Sequence, residues 1–419
     1  MAERVVHLSS VAGSPLLDSG GARLGRVQDV IAQLGMGDGM PLVAGLKARI
    51  GGRELFVPIA RVARLGPAAA CTSTTKLNLA QFERRPGEVL LRSDVLGHSL
   101  IDVRTARLVT AHEVELACEE GTWRVAGIDP SLRARLRRLL PRRMREHEGE
   151  ANEFVAWTEL EPFVAHVPTS RLRLAHRRLA QLHPAQIADL VEAASHAEGE
   201  EILEALGHDK ELEADIFEEL DDEHQLEFLR ERSDAEVAAL LGRMESDDAA
   251  DLLMGLDQDR RLPVLNLLPP AKQRKLRSLL GHNPQTAGGL MNPDFLAVAE
   301  RSTVEQVLEM VRRSELPAEQ LHTVLVLDAG GKLAGRVPAA ALIKADAHQA
   351  LAGLVDETGP AVSAEADVPE IARVMTDFNL MSLPVLDAEG RPIGVLAVDD
   401  ILELLLPEEW RRRYGSARD

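Results

Sequence analysis

Three aspartates within five residues are the side chains in this sequence whose type and spacing most clearly suggest chemistry. They are Asp247, Asp248 and Asp251, in the run 244–256, which predicts a short helix capped by Ser246. Residues three and four apart share a helix face, and negative charge is favoured near a helix N-terminus. The pattern indicates either a solvated, well-capped helix start or oxygen ligands for a hard divalent cation such as Mg²⁺.

The acidic charge of the chain is concentrated around these aspartates. Residues 189–260 contain 25 Asp and Glu against 5 Lys and Arg, a net charge of −20, whereas the whole chain carries −19. The rest of the chain is therefore close to neutral. Acidity spread over the whole sequence would indicate solubility and little else. Acidity confined to one segment predicts that the negative charge has a specific role in that segment.

Length and composition exclude several classes of protein. A chain of 419 residues predicts several domains, each with its own core. Two cysteines, Cys71 and Cys118, form neither a disulfide framework nor a metal-binding spacing, as is typical of a reducing cytosol. Neither a signal peptide nor an apolar run of about 18 residues is found, so we expect a soluble, cytoplasmic protein. Aromatic residues are 3% of the chain, which disfavours nucleic-acid binding by base stacking.

Residues 1–130 have the pattern of a β-rich region. Short runs rich in β-branched residues alternate with turns, at 26–31, 53–57, 88–92 and 122–126. The stretch 15–30 resembles the opening of a PRC-barrel domain, and 91–103 resembles it again more weakly. The resemblance implies tandem small β-barrels that dock a partner. The histidines here, His98 and His112, are isolated and indicate no catalytic site.

Residues 131–171 are predicted to form a linker. Its first part contains seven arginines: Arg133, Arg135, Arg137, Arg138, Arg142, Arg143 and Arg145. Such a run can bind phosphate backbones or anionic lipid. We favour a solvated linker helix that faces the acidic segment, because no aromatic residues or wider basic surface accompany the arginines.

Residues 172–280 predict an α-superhelix of short helices with an acidic outer surface, because turn signals recur about every 12 residues. Three motifs, at 182–190, 247–253 and 286–293, resemble the cytosolic N domain and linker of MgtE-type magnesium transporters. The region 281–409 follows as in that family. The segments 327–335 and 386–394 repeat one strand–turn–strand motif, each followed by a helix, which indicates an α/β CBS pair. The chain is thus predicted to be multidomain α+β, with a tail at 410–419.

The MgtE resemblance implies a set of magnesium ligands, since ions in that family bridge acidic faces of the N domain and the CBS pair. The positions it implies are Asp247 and Asp251 in the N domain, Asp400, Glu403, Asp377 and Asp367 in the second CBS repeat, and Asp215 by spacing alone. Asn379 and Pro369 replace family acids, which predicts fewer or looser ion sites. Oxygen ligands also accept Ca²⁺ and Mn²⁺.

CBS modules often bind adenosine nucleotides through a Ser or Thr hydroxyl and an Asp. The second repeat has Ala397 in place of the hydroxyl, and the first repeat lacks both groups after Gly335. Adenosine binding is therefore not expected. The resemblance instead implies a homodimer formed through the CBS pair.

These features predict a cytoplasmic Mg²⁺-sensing regulatory protein without the family's membrane pore. Without a cation two acidic surfaces repel, and near-millimolar Mg²⁺ bridges them and favours a compact form. A transporter in the membrane is the expected partner. The alternatives are a non-catalytic adaptor that docks through its barrels, with the CBS pair as a nucleotide sensor, and an enzyme with a catalytic metal. The last is disfavoured because no nucleophile, base or phosphate-binding loop accompanies the aspartates.

Overall fold

The computed structural model describes residues 4–34, 39–66, 68–75, 81–119, 121–134, 154–163, 178–356 and 359–407. The chain divides into two compact units, the first ending at Leu212 and the second beginning at Glu213. This boundary falls near the start of a helix, Lys210–Glu219. Within the described residues no helix is long and apolar enough to cross a bilayer.

The first unit begins with a β region of short strands. They are β1 (Arg4–His7), β2 (Pro15–Leu17), β3 (Arg23–Gln33), β4 (Leu42–Ile50), β5 (Arg53–Pro58), β6 (Val62–Arg64), β7 (Ala70–Thr72), β8 (Glu88–Leu90), β9 (Ser99–Asp102), β10 (Arg107–Thr110), β11 (Glu113–Glu119), β12 (Thr122–Asp129), β13 (Val155–Ala156) and β14 (Leu160–Pro162). A helix, α1 (Leu8–Val11), and a helical turn, Leu91–Val95, follow β1 and β8 at equivalent places. Eleven strands form one sheet, and β10, β9 and β14 form a second.

The β region is an internal duplication whose halves exchange their first strands. Strand β1 of the first half pairs with β11 of the second, and β8 of the second half pairs with β3 of the first. One hydrophobic core runs through both halves and includes Leu46, Leu116 and Leu160. The predicted duplication is present, but the repeats share one core and are not separate barrels. The likeness to a PRC barrel stays a prediction.

Two buried acids make the exchange reciprocal. Asp29 on β3 accepts the N–H groups of Arg92 and Ser93, at 2.8 and 3.1 Å, from the helical turn of the other half. Glu113 on β11 accepts the N–H of Ser9, at 2.9 Å, from α1. The first N–H groups of a helix have no partner within it, so each acid satisfies donors of the opposite half.

The predicted linker over 131–171 is corrected in part, because β13 and β14 lie within it. Strand β13 pairs with β12 and β14 pairs with β9, and Trp157 between them is buried in the shared core. Strands of two and three residues are too short for an alternating pattern to reveal. Arg133 is described, whereas the other six arginines of the basic run lie outside the described residues.

Short helices follow, as the sequence predicts. They are α2 (Pro184–Ala193), α3 (His196–Leu206), α4 (Lys210–Glu219), α5 (Asp222–Leu229), α6 (Asp234–Leu241), α7 (Ser246–Gly255), α8 (Gln258–Leu267) and α9 (Pro270–Leu279). Helix α6 begins with a capping box: Glu236 accepts the N–H of Ser233 at 2.8 Å, and the Ser233 hydroxyl accepts the N–H of Glu236 at 3.3 Å. In the second unit α6 packs on α8, and α7 packs on α5, α8 and α9.

The predicted cap of the acidic helix is wrong. Helix α7 begins at Ser246, and Glu245 occupies the N-cap position. Ser246 is fully buried, and its hydroxyl donates to Asp294 Oδ2 at 3.0 Å. The hydroxyl that the local sequence predicts as a helix cap therefore bonds instead to an aspartate 48 residues away.

The CBS pair consists of two units with the same order of elements. The first has β15 (Ala297–Ala299), α11 (Val304–Arg313), β16 (Thr323–Leu327), β17 (Leu333–Pro338) and α12 (Ala339–Lys344), and the second has β18 (Val362–Ser363), α13 (Val368–Phe378), β19 (Ser382–Leu386), β20 (Pro392–Ala397) and α14 (Val398–Leu405). In each unit the first two strands are parallel and the last two antiparallel. The predicted mixed α+β architecture is confirmed.

The segment between the helices and the CBS pair is bound to the second CBS unit. Helix α10 (Ala287–Leu290) lies here, and the N–H of Gly288 donates to the carbonyl of Ala364 at 2.8 Å. Asn292 exchanges two backbone hydrogen bonds with Val395 of β20, at 2.8 and 2.9 Å. A Cβ on Gly288 would lie 2.6 Å from His282 Nδ1, which explains the glycine.

Candidate metal centre

Asp247 lies in the first turn of α7 and faces carboxylates from other parts of the second unit. Burial raises its pKa to about 8, and the carboxylates of Asp400 and Glu245 add to this. Its Oδ1 atom is buried and has no hydrogen-bond partner. A buried carboxylate oxygen without a donor is costly, so this position favours a proton or a cation.

Asp400 approaches from the second CBS unit, in the first turn of α14. Burial raises its pKa to about 7, followed by the charges of Asp399 and Glu245. Ala397 stands at the N-cap and offers no side-chain hydrogen bond. A hydrogen bond from the Ala397 backbone lowers the pKa of this carboxylate, although burial and the neighbouring charges outweigh it.

Three further acids complete the arrangement. Burial is the largest cause of the raised pKa of each. The pKa of Glu218 is raised to about 7, that of Asp248 is well above its usual range, and that of Glu245 is also raised. The N–H of Glu245 donates to Glu218 Oε1 at 2.6 Å. We call Glu218, Glu245, Asp247, Asp248 and Asp400 the acidic cluster.

Two acids of this cluster were not among the implied ligands although they lie in the run 244–256. They are Glu245 and Asp248, and their proximity to Asp247 in the sequence could have indicated both. Glu218 belongs to a different helix, α4, and nothing in its spacing marks it. Only the packing of the helices brings it to the others.

The cluster is not a closed set of ligands. Among the described residues, none of the seven implied ligands belongs to a group of three acids or histidines whose ligand atoms lie within 4.8 Å of one another. The carboxylates are close enough to raise one another's pKa, yet no three of them lie close enough to coordinate one ion together. This spacing fits a hydrated Mg²⁺, which usually keeps several waters and takes one or two carboxylates.

Of the remaining implied ligands, two flank the cluster. The charge of Asp215 contributes to the raised pKa of Glu218, and the charge of Glu403 contributes to that of Asp400. Both side chains are exposed. Asp215 and Glu403 therefore belong to the rim of the site.

Three implied ligands lie outside the cluster. Asp251 is exposed. Partial burial raises its pKa, and the charge of Asp222 on α5 raises it further. Asp367 caps α13 by accepting the N–H of Glu370 at 3.0 Å. Asp377 is exposed, with Arg373 at 4.0 Å. Nothing in their positions links them to Asp247.

Amide groups tie Glu245 to the CBS pair without any ion. The side chains of Asn292 and Gln320 both donate to Glu245 Oε2, the second at 2.6 Å. Asn292 precedes the first CBS unit and Gln320 lies within it. These bonds lower the pKa of Glu245, although burial outweighs them. Glu245 is thus the cluster acid best supplied with donors.

Positive charge enters the cluster from α9. Lys272 Nζ donates to the carbonyl of Met244 and to Ser246 Oγ, the latter at 3.2 Å. Lys275 forms an ion pair with Asp294, which also accepts the Ser246 hydroxyl. Lysine charge from α9 is therefore placed at the start of α7 and beside Asp294.

The cleft of the CBS pair lacks the groups expected for adenosine. Pro338 and Ala397 occupy the N-cap positions of α12 and α14, and neither makes a side-chain cap. Both helices thus begin without the hydroxyl that the nucleotide-binding pattern needs. The absence of adenosine binding stays a prediction.

Comparison with known proteins gives the same division of the chain. A family model for the MgtE intracellular N domain matches residues 182–285, and one for the CBS domain matches residues 287–348 and 357–407. A magnesium transporter MgtE of Thermus thermophilus is 32% identical over 235 residues, which cover 55% of this chain and 51% of the relative. The MgtE of Bacillus subtilis is 22% identical, with 49% and 46% covered. The chain spans about half the length of these curated relatives.

A solved structure agrees with these matches. The crystal structure of the cytosolic domain of the Mg²⁺ channel MgtE in complex with ATP is 31% identical, with a TM-score of 0.52, and the match covers 55% of this chain and 93% of that one. Through residues 182–407, this chain belongs to the MgtE family.

Proposed function

We propose that this chain is a regulatory protein that responds to Mg²⁺ at the acidic cluster. The observation that carries the proposal is the approach of Asp247 on α7 to Asp400 on α14, with Asp247 Oδ1 buried and without a donor. One carboxylate belongs to the N domain and the other to the second CBS unit. A cation between them stabilises their contact, and its loss leaves two charges opposed.

The physical mechanism is a shift between two populations. Without a cation, the cluster stays close only if its acids are protonated, since raised pKa values report the cost of charging them. A hydrated divalent ion supplies the charge without a proton, and its differential affinity for the closed contact sets the size of the shift. Ca²⁺ and Mn²⁺ share the oxygen chemistry and act at the same carboxylates.

The relatives support magnesium as the ion and a transporter as the target. The curated relatives are magnesium transporters, and the solved relative is a cytosolic domain of a Mg²⁺ channel. The matched families are regulatory, so we propose no catalytic activity. The regulated partner is a magnesium transporter in the membrane, reached through the region shared with those relatives.

The solved relative was crystallised with ATP, but we propose that nucleotide is not the signal here. Pro338 and Ala397 remove the hydroxyl from both CBS units. Calorimetric titration of ATP with excess chelator should give no heat of binding. Saturable binding would show that the cleft uses other groups.

The CBS pair also carries a face suited to a second copy of the chain. Large apolar side chains on its helices are exposed, namely Met310, Ile343, Phe378, Leu402 and Leu405. Paired helices of each unit carry them, α11 with α12 and α13 with α14. We expect a homodimer that buries this face, since contiguous exposed apolar surface marks interaction sites. Light scattering should detect a dimer that Ile343→Glu dissociates, whereas Leu262→Glu, at an exposed leucine of the N domain, should leave it intact.

The test of the magnesium proposal is a thermal melt in MgCl₂ against NaCl of matched ionic strength. The wild type should gain melting temperature specifically with MgCl₂, because a ligand that binds only the folded form stabilises it. Asp400→Asn should lose roughly half or more of that gain. The matched control is Asp377→Asn, an exposed acid of the same CBS unit outside the cluster. An identical response to both salts would contradict the proposal.

A further inference from the structure

Lys272 is the cationic side chain placed against the acidic cluster from within the N domain. It lies in the first turn of α9, and its ammonium donates to the carbonyl of Met244 and to Ser246 Oγ. These acceptors lie at the start of α7, one to three residues before Asp247. The lysine therefore contacts the backbone that positions the cluster, and not a carboxylate directly.

The charges around this ammonium are those of the cluster and of one neighbouring pair. Burial lowers the pKa of Lys272, and the charge of Lys275 acts in the same direction. The carboxylates of Asp294, Asp247 and Glu218 oppose this and favour the ammonium form. A buried lysine is costly unless negative charge compensates it, so the cluster and Lys272 stabilise each other.

The compensation is one-sided. Lys272 and its neighbour Lys275 are both on α9, and the second is already paired with Asp294. For Asp400, the charges that shift its pKa are all acidic: Asp399, Glu245 and Glu403. Among the described residues, no cation is found with the acids that shift the pKa of Asp400, whereas Lys272 acts on Asp247 and Glu218.

We propose that Lys272 is a built-in cation of the site that sets how strongly a divalent ion binds there. The inference rests on the proposed function and adds the residue that tunes it. Lys272 neutralises part of the N-domain acids permanently, so the divalent ion has to neutralise only the remainder. Its positive charge also repels that ion and weakens its binding.

The charge role makes a prediction that a structural role does not. In Lys272→Gln the cluster gains one net negative charge. The Lys272→Gln protein should then have a lower melting temperature without divalent ions. It should bind Mg²⁺ more tightly, with a titration midpoint on the order of tenfold lower. Lys272→Arg keeps the charge and should keep the wild-type midpoint within about twofold. The matched control is Lys332→Gln, an exposed lysine in a turn of the CBS pair.

The experiment is a calorimetric and thermal titration of the full chain and these three variants with MgCl₂, with a parallel series in NaCl. A lower midpoint in Lys272→Gln alone, with Lys272→Arg and Lys332→Gln like the wild type, supports the proposal. An unchanged midpoint with a uniform loss of melting temperature would overturn it, since that is the result of losing two hydrogen bonds. An equal shift in Lys272→Arg would overturn it as well.

The NaCl series separates this inference from the proposed function. If the wild type shows no Mg²⁺-specific response, the proposed function fails whatever the variants do. The charge role of Lys272 is then tested by the NaCl series alone. The deficit of Lys272→Gln should shrink as NaCl rises, because salt partly screens the added repulsion among the half-buried carboxylates. A deficit that is constant with salt would contradict a charge role.

Discussion

The β region and the acidic cluster both bury carboxylates, but they treat them in opposite ways. Asp29 of the β region, 2% exposed, accepts hydrogen bonds from the N–H groups of Val30, Arg92 and Ser93 and from the Ser93 hydroxyl. In the cluster, Asp247 has one buried oxygen without a donor and faces further acids. Hydrogen bonds within the fold satisfy both oxygens of the first carboxylate. One oxygen of the second has no donor until a proton or a cation binds there.

This difference separates a structural acid from a candidate ligand more clearly than sequence spacing does. Asp94 of the β region follows the same rule as Asp29, because it accepts both the Arg84 guanidinium, at 2.9 Å, and the N–H of Leu90, at 2.7 Å. A buried charge that is fully hydrogen-bonded specifies a structure. A buried charge opposed by like charges stores repulsion that a cation releases.

The largest expected effect comes from removing an acid that the fold completes. Asp29→Ala leaves the N–H groups of Arg92 and Ser93 buried without partners, and should cost about 3 kcal/mol of unfolding free energy, with no dependence on Mg²⁺. Urea unfolding followed by tryptophan fluorescence measures it, since Trp123 and Trp157 lie in this core. Trp410→Phe in the background removes the remaining tryptophan.

The control for this prediction is Asp18→Ala. Asp18 also accepts two N–H groups, from Gly20 and Ala22, but in an exposed turn. Its loss should cost about 1 kcal/mol or less, because water replaces the acceptor. Equal losses in the two variants would show that burial is not what makes Asp29 important.

An acid of the cluster should behave in the opposite direction. Asp247→Asn removes a repelled charge, so in excess chelator at about pH 9, where Asp247 with its pKa of about 8 is mostly ionised, the protein should become more stable by about 1 kcal/mol. The same variant should lose most of its response to MgCl₂. Thermal melts followed by circular dichroism give both results. A loss of stability in chelator would mean that Asp247 is held by donors, like Asp29.

The pH dependence should also distinguish the cluster. The pKa values of Glu218 and Asp400 are about 7 and that of Asp247 about 8 in the fold, against about 4 for unfolded carboxyls. The folded protein therefore binds more protons, and without divalent ions its stability should fall as pH rises from about 4 to about 8. Mg²⁺ should restore more stability at about pH 8.5 than at about pH 6. An equal gain at both values would contradict competition between protons and Mg²⁺.

The smallest effects should come from implied ligands outside the cluster. Asp251→Asn should change stability by no more than about 0.5 kcal/mol and leave the Mg²⁺ midpoint unchanged. Asp251 is exposed, and the charge that shifts its pKa belongs to Asp222, outside the cluster. Asp367→Ala should cost about 1 kcal/mol through the lost cap of α13, again with an unchanged midpoint. A shifted midpoint in either variant would extend the site beyond the cluster.

Local sequence predicted the elements of the CBS pair because its signals are local. The helix predicted to follow each strand–turn–strand motif is present, as α12 and α14, and Asn379 takes a left-handed conformation at the end of α13. Each strand–turn–strand motif repeats an aspartate that accepts two turn N–H groups, Asp328 and Asp387.

The site was less predictable because it depends on packing. Asp247 and Asp251 share a helix, and the spacing suggested a common ligand face, but α7 turns the first toward Asp400 and leaves the second near Asp222. Glu218 enters from another helix, and Ser246 is taken by a distant aspartate. The pairing of β1 with β11 and of β8 with β3 likewise depends on which half supplies the partner strand, and a single sequence does not reveal this.

The central claim is that Asp247 and Asp400 repel each other until a cation joins them, and a double-mutant cycle measures this directly. Urea unfolding of the wild type, Asp247→Asn, Asp400→Asn and the double variant gives their coupling energy by circular dichroism. In excess chelator at about pH 9, where both carboxyls are mostly ionised, the coupling should be repulsive, by about 1 kcal/mol, and in saturating MgCl₂ at the same pH it should become attractive. A coupling of the same sign and size in both conditions would contradict the account.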